Sequence, residues 1–306
     1  MKLKIIQNKK YFYSFSGSLF LISILCLIAW GLRLGIDFSG GSLMELNFSG
    51  PRPESQRLQN ELADFKLEDL RIQQAGEQDV IMRFKTIEEN THQEILAKIK
   101  NKFEQPEQKI TEKRFESVGP IIGQELQQKA WIAIFLATLM IILYIAYAFR
   151  KVSKPVASWK YGVAAIIALT HDIVIVVGLF SILGHFRGIE VDSLFITALL
   201  TILGFSVHDT IVVFDRTREN LARHYSADFE AVVNDSVNQT IVRSINTSVT
   251  TLLTLTALFL FGGETIKNFT LALIAGITVG TYSSIFVASP IIVSWHNFSR
   301  RARAAR

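Results

Sequence analysis

Two aspartates stand where aspartates are expensive. Asp172 follows His171 deep inside one apolar run, and Asp209 follows His208 toward the end of the next, about five residues before that run stops. On insertion scales, a charged side chain at the centre of a bilayer costs on the order of 2.5–3.5 kcal/mol unless something compensates it. Two such residues therefore predict a polar bundle interior and a partner, and Arg243, which opens a later apolar run, is the obvious one. Gln239, Arg243, Thr247, Thr250, Thr251 and Thr254 recur at spacings of three and four, with Asn246 beside them. That spacing puts one polar stripe along a helix, suited to hydrating a pathway. Two kinds of chemistry fit. In the first, Asp209 and Arg243 form a permanent buried ion pair that fixes helix packing. In the second, Asp209 takes up and releases a proton, because burial favours the neutral acid and a nearby guanidinium the charged one. Asp172 is open to the same two readings. His171 and His208 read first as local hydrogen-bond partners of the aspartates, His208 also as a candidate member of the proton pathway. A metal held by His171, Asp172, His208 and Asp209 is a minor alternative, and no metal is expected.

The remaining motifs are structural in character. Asp37-Phe38-Ser39-Gly40-Gly41-Ser42 has a double glycine that would let backbone amides approach a phosphate. No Lys-Ser or Lys-Thr follows it and no helix is expected to start there, so a tight turn is the expectation. Ser117-Val118-Gly119-Pro120-Ile121-Ile122-Gly123 mirrors it further along. Together, Asp37, Gly40, Gly41, Gly119 and Pro120 suggest two hinges, or simply two turns. Gly276 and Gly280 form G-x-x-x-G, the pattern of close helix packing. Cys26, the only cysteine, lies in an apolar run and reads as filler. There is no nucleotide-binding motif and no catalytic constellation, so neither ATP chemistry nor a bound cofactor is expected; protons are the expected coupling ion.

The elements that must position these residues follow from hydropathy. The chain has 306 residues, 19% charged, with a mean hydropathy of +0.30. A soluble protein carries about a quarter charged residues. Six stretches, near 12–34, 130–149, 161–184, 192–214, 244–262 and 270–294, approach the ~20 apolar residues that cross ~30 Å of hydrocarbon. Lys9 and Lys10 before the first resemble a signal peptide, but its length and Ala29-Trp30-Gly31 favour a retained anchor. Sixteen basic residues flank the spans on one side: Lys2, Lys4, Lys9, Lys10; Arg150, Lys151, Lys154, Lys160; Arg216, Arg218, Arg223, Arg243; Arg300, Arg301, Arg303, Arg306. The short loops on the other side carry Arg187 and Lys267 alone. The asymmetry predicts cytoplasmic termini, an external 35–128 segment, and topology signals in place of a nucleic-acid surface behind the net charge of +5.

The chain thus divides into 1–34 (N-terminus and first span), 35–128 (external domain), 129–298 (spans two to six) and 299–306 (basic tail). In 35–128 the pattern reads as strand 42–48, helix 53–65, strands 69–73 and 79–84, helix 88–103 and strand 109–118. Leu58, Leu62 and Phe65 share one helix face, and Ile95, Leu96, Ile99 and Phe103 share another. The order β-α-β-β-α-β is the ferredoxin-like, split-βαβ pattern. His92 stands alone on a polar helix face and reads as a surface histidine. The fold class is therefore a polytopic helical membrane protein of six spans with one extracytoplasmic α+β domain.

Four segments carry a resemblance to a known family: Gly35-Ile36-Asp37-Phe38-Ser39-Gly40-Gly41, Ser117-Val118-Gly119-Pro120, Asp209-Thr210-Ile211-Val212-Val213-Phe214-Asp215-Arg216, and Asn238-Gln239-Thr240 with Arg243. Over essentially its whole length the chain resembles the SecF branch of the SecD/SecF protein-export subunits, within the resistance-nodulation-division superfamily. The first segment also occurs in SecD-like chains; the third points to the SecF branch. The resemblance implies a subunit of the bacterial inner membrane that works with a SecD-like partner and a SecYEG-type channel on exported, unfolded polypeptide. It implies that the proton motive force drives it, with Asp209 as the membrane carboxylate and Arg243 as its basic neighbour. His208 departs from the family pattern, in which asparagine precedes that aspartate. A proton crossing the membrane yields about 2.3 kcal/mol per 100 mV, enough to bias a domain-scale equilibrium without covalent chemistry. Half of a proton-driven small-molecule or lipid efflux transporter and an inert assembly subunit are the competing functions.

Overall fold

The computed structural model describes residues 3–106, 108–149, 156–223 and 228–304. Of the sixteen orientation residues, Lys2, Arg150, Lys151, Lys154 and Arg306 lie outside the described residues, as does the Arg303 side chain. The chain forms two compact units, Met1–Arg33 with Ile132–Arg306, and Leu34–Trp131.

The smaller unit is built from α2 (Ile36–Ser39), β1 (Gly41–Phe48), α3 (Ser55–Glu61), β2 (Arg71–Ala75), β3 (Asp79–Phe84), α4 (Glu89–Phe103) and β4 (Ile110–Val118), with a 3₁₀ turn at Ala63–Phe65. Its sheet order is β2-β3-β1-β4, antiparallel throughout. Alternation along the strands sends Met44, Leu46, Phe48, Val80, Met82 and Phe84 into one core with Leu58, Leu62, Ile95, Leu96, Ile99 and Phe103 of the helices. This is the expected ferredoxin-like order. A register shift at Glu45/Leu46 against β4 interrupts the ladder, and Glu45 is buried on the opposite face.

His92 is not a surface histidine. It is 4% exposed, lies against Phe115 with ring centroids 3.7 Å apart, and reaches Glu89 through Nδ1 (2.9 Å) and Glu112 through Nε2 (2.7 Å). Burial opposes its protonation, but the hydrogen bonds and charges of the two carboxylates outweigh this and raise its pKa above 6.5. The helix pattern alone could not reveal β4 folding over that face.

Among the described residues six helices are long and apolar enough to cross a membrane: α1 (Lys9–Trp30), α5 (Pro120–Ala148), α6 (Ser158–Arg187), α7 (Ser193–Arg223), α8 (Phe229–Phe261), and a last span made of α9 (Glu264–Ser283) and α10 (Ser289–Ala304). The protein is thus a multi-pass membrane protein. The helices outrun their apolar cores, because helical hydrogen bonding continues into polar sequence. Asp209 consequently stands mid-way along α7, not near its end. The last span is also not one regular helix. Pro290 cannot donate to a preceding carbonyl and its ring crowds that turn, so residues Ser284–Ala288 widen into a π turn. The Ser289 hydroxyl donates to the Ser284 carbonyl at 3.1 Å across this turn.

Candidate functional site

The polar interior of the bundle is organised around the two aspartates, on different terms. Asp172 of α6 is completely enclosed. Its Oδ1 lies 2.9 Å from His171 Nδ1, while Oδ2 accepts hydrogen bonds from Ser206 of α7 (2.6 Å) and Ser283 of α9 (2.7 Å). Three helices are therefore tied at one carboxylate. Next to it Thr210 and Ser284 share a hydrogen bond of 2.8 Å, joining α7 to the π turn. The glycines explain how the helices come this close. A Cβ on Gly276 would stand 2.3 Å from the Ile202 side chain, and one on Gly280 3.0 Å from Ser206 Cβ. The G-x-x-x-G face is thus spent within this chain, against α7.

Asp209 is 3% exposed, with Ser244 of α8 and Thr281 of α9 beside it and His208 and Arg243 as the nearby basic groups. Its Oδ2 makes no hydrogen bond of ordinary geometry, and neither does the Ser244 hydroxyl. The predicted ion pair is not formed: no salt bridge links Asp209 to Arg243, whose side chain is exposed. His208 is exposed as well. The polar stripe of α8 also faces outward. Arg243, Asn246, Thr247, Thr250 and Thr254 are exposed, and the threonine hydroxyls donate to carbonyls three or four residues back in their own helix. Spacing gave the stripe correctly but not its direction, which depends on the neighbours of α8. Those are chiefly α7 and α9, and most of its apolar stretch is bare. Gln239 is exposed too, but it accepts from Arg216 and from Asn220 (3.0 Å) of α7.

Ser206, Ser244, Thr281 and Ser283 were missed in the sequence, although Ser206 lies one turn before Asp209 and would share its face. Among the described residues no three or more His, Cys, Asp or Glu side chains group as a metal site.

The glycine motifs form one joint in the smaller unit. Ile36–Ser39 makes a helical turn where none was expected, capped by Gly40 at φ +74°. A Cβ on Gly40 would meet Pro120 Cα at 2.9 Å, and one on Gly123 would meet Gly40 N and Phe38 O at 3.0 Å. The two suggested hinges therefore touch, backbone to backbone. Asp37 and Glu45 add their charge to Arg114, whose guanidinium is forked onto Glu116 and held in its charged form.

Comparison with known proteins places this geometry. Residues 98–298 match the family described as protein export membrane protein SecD/SecF, C-terminal, and residues 31–51 match the SecD/SecF GG motif. The protein translocase subunit SecF of Thermobaculum terrenum is 46% identical over 96% of this chain and 94% of its own length. The SecF subunit of Anaerolinea thermophila is 39% identical over 99% of both chains. The crystal structure of SecDF from Thermus thermophilus, a translocon-associated membrane protein, superposes with a TM-score of 0.83 at 34% identity. The match covers 97% of this chain and 39% of that one.

Proposed function

The chain belongs to the SecD/SecF family of protein-export membrane proteins, and from that membership we propose that it is the SecF-type subunit of a Sec protein translocase, driven by the proton motive force. The observation that carries the mechanism is the Asp209 carboxylate, buried beside the Ser244 and Thr281 hydroxyls with one oxygen lacking a hydrogen bond of ordinary geometry and with no ion pair. A group left this way is costly in one protonation state and relieved in another, which is what a carrier of protons needs. Arg243 and His208, both exposed, stand near the carboxylate without locking it in an ion pair. No covalent step is needed: proton uptake shifts the bundle between two packings, and the smaller unit acts on emerging polypeptide.

The partner is a SecD-type chain. The outward polar stripe of α8, from Arg243 to Thr254, is unsuited to lipid and would be covered by a second bundle. The larger SecDF relative, of which this chain matches 39%, leaves length for such a partner. Together they would stand beside a SecYEG-type channel in a bacterial inner membrane, both termini cytoplasmic and the 34–131 unit outside. Protons are the coupling ion and no cofactor takes part.

Asp209→Asn keeps shape and hydrogen bonding but cannot titrate. It is expected to assemble at wild-type abundance and to stop proton-motive-force-dependent late export. Export at the wild-type rate in an intact complex would refute the proton role.

A further inference from the structure

The segment before α1 looks in sequence like a basic topology signal, and Asn238 like one letter of a family motif. The fold joins them. Ile5 and Ile6 are 3% and 0% exposed, inside the same apolar cluster as Phe149, Tyr161, Phe214, Val233 and Val237. The backbone around them is bonded by two asparagines one turn apart on α8. Leu3 N donates to Asn238 Oδ1 at 2.7 Å, and Leu3 O accepts from Asn238 Nδ2 at 2.9 Å and from Asn234 Nδ2 at 3.1 Å. Ile5 N and Ile6 N both donate to Asn234 Oδ1, at 3.1 and 3.3 Å. Turn hydrogen bonds from Asn8 to Ile5 and from Lys9 to Ile6 then carry the chain straight into α1, where Lys9 faces Glu230 of α8 at 3.7 Å.

The bodies of these two helices rest mainly on different neighbours. Helix α1 packs chiefly on α6, with Ser23 against Gly178, and touches the last span where Phe12 meets Phe286 and Ser16 donates to Tyr282, whereas α8 packs chiefly on α7 and α9. Helix α8 carries Arg243, five residues beyond Asn238; α1 leads directly into the 34–131 unit. We propose that residues 3–8 are a tether through which movement of α8 is transmitted to α1, with Asn234 and Asn238 as its attachment points. The five hydrogen bonds fix backbone atoms, so they hold the register of the segment, and the two buried isoleucines keep it from peeling away. A displacement of α8 that follows protonation of Asp209 then pulls on the helix that enters the external unit. This rests on the proton reading of Asp209 and adds the route by which its energy leaves the bundle.

The test uses the assembled complex with its SecD-type partner in membrane vesicles, with Cys26→Ser as background. Export and proton permeation are measured per assembled complex. A short Gly-Ser insertion between Asn8 and Lys9 leaves every tether bond in place but slackens the connection; Asn234→Ala with Asn238→Ala removes the bonds. Both are expected to lower export about tenfold, the size of effect a lost coupling gives, while proton permeation persists. A short thiol cross-link between Leu3→Cys and Asn238→Cys replaces the bonds covalently and is expected to sustain export. Unchanged export with the slack insertion overturns the tether, and so does a cross-link that blocks export, since the segment would then have to detach. Loss of proton permeation together with export also overturns it, because the segment would be supporting the Asp209 site itself. Asp209→Asn run in parallel separates the two ideas: if that variant exports normally the proton reading fails, whatever the tether does.

Discussion

Asp172 and Asp209 are the same side chain on neighbouring helices of one bundle, and both are removed from water, yet their surroundings differ in kind. Asp172 has both oxygens engaged, by an imidazole and two serine hydroxyls contributed from α6, α7 and α9. Asp209 has an oxygen that makes no hydrogen bond of ordinary geometry, although Ser244 and Thr281 stand beside it, and its two basic neighbours are exposed. A buried polar group that is fully satisfied rigidifies what surrounds it; one that is partly satisfied holds free energy that a change of state can release. On the proposed reading the first aspartate fixes helices and the second moves a proton. Grouping the two as one proton pathway, as their composition invites, hides that division.

The largest expected effect separates them directly. Asp172→Leu strands the Ser206 hydroxyl and His171 Nδ1 and leaves the Ser283 hydroxyl only the Gly280 carbonyl, at about 1–3 kcal/mol for each group left unpaired in the interior. The complex should therefore lose abundance and melt earlier in detergent, whereas Asp209→Asn should leave both unchanged. If Asp172→Leu assembles normally and only export falls, the contrast fails.

Next in size is the packing that brings the three helices to Asp172. Gly276→Leu drives a side chain into Ile202, where even a Cβ would sit at 2.3 Å, and overpacking of this kind costs about 1–3 kcal/mol or more. Gly204→Leu is the matched control, because nothing lies within 4 Å of the Cβ position there. Thermal unfolding of the purified complex should drop for the first and hold for the second.

Arg243 tests the other side of the contrast. Since it forms no ion pair with Asp209, Arg243→Ala should not weaken assembly of this chain's bundle but should impair export. Arg243→Lys should recover part of that export, because it restores the charge without the planar guanidinium fork. Export assays normalised to complex abundance decide this; a large loss of abundance with Arg243→Ala would revive the permanent ion pair.

The smallest effect lies outside the bundle, where His92 offers a satisfied titratable group in water-exposed structure. Its pKa is raised in the folded unit by Glu89 and Glu112 against the opposing effect of burial. The stabilisation is then fully present below pH 6.5 and is lost as pH rises through the folded value. Hydrogen exchange of α4 and β4 in the full chain should quicken across that range in excess of the chemical exchange rate. In His92→Gln, which keeps hydrogen bonding but not the charge, that excess should vanish.

What the sequence determined by itself is what depends on local pattern. Runs of apolar residues set six spans, since length and hydropathy alone decide what can cross hydrocarbon. Period-two and period-3.6 alternation set β1, β3, α4 and β4 within a residue or two, because one face of each must be buried. The positions of Asp172, Asp209 and the glycine pairs were legible because such residues are costly or unusual where they stand. Tertiary structure decided the rest. Which way Arg243 and the threonines of α8 face depends on α7 and α9 occupying one side of that helix and leaving the other bare. That His92 is buried depends on Glu112 and Phe115, distant in sequence, arriving on β4. That Asp172 is satisfied and Asp209 is not depends on where Ser206 and Ser283 meet across three helices, at a closeness set by Gly276 and Gly280. Each of these is a contact between segments far apart in the chain, and periodicity along one segment carries no information about what will stand opposite it.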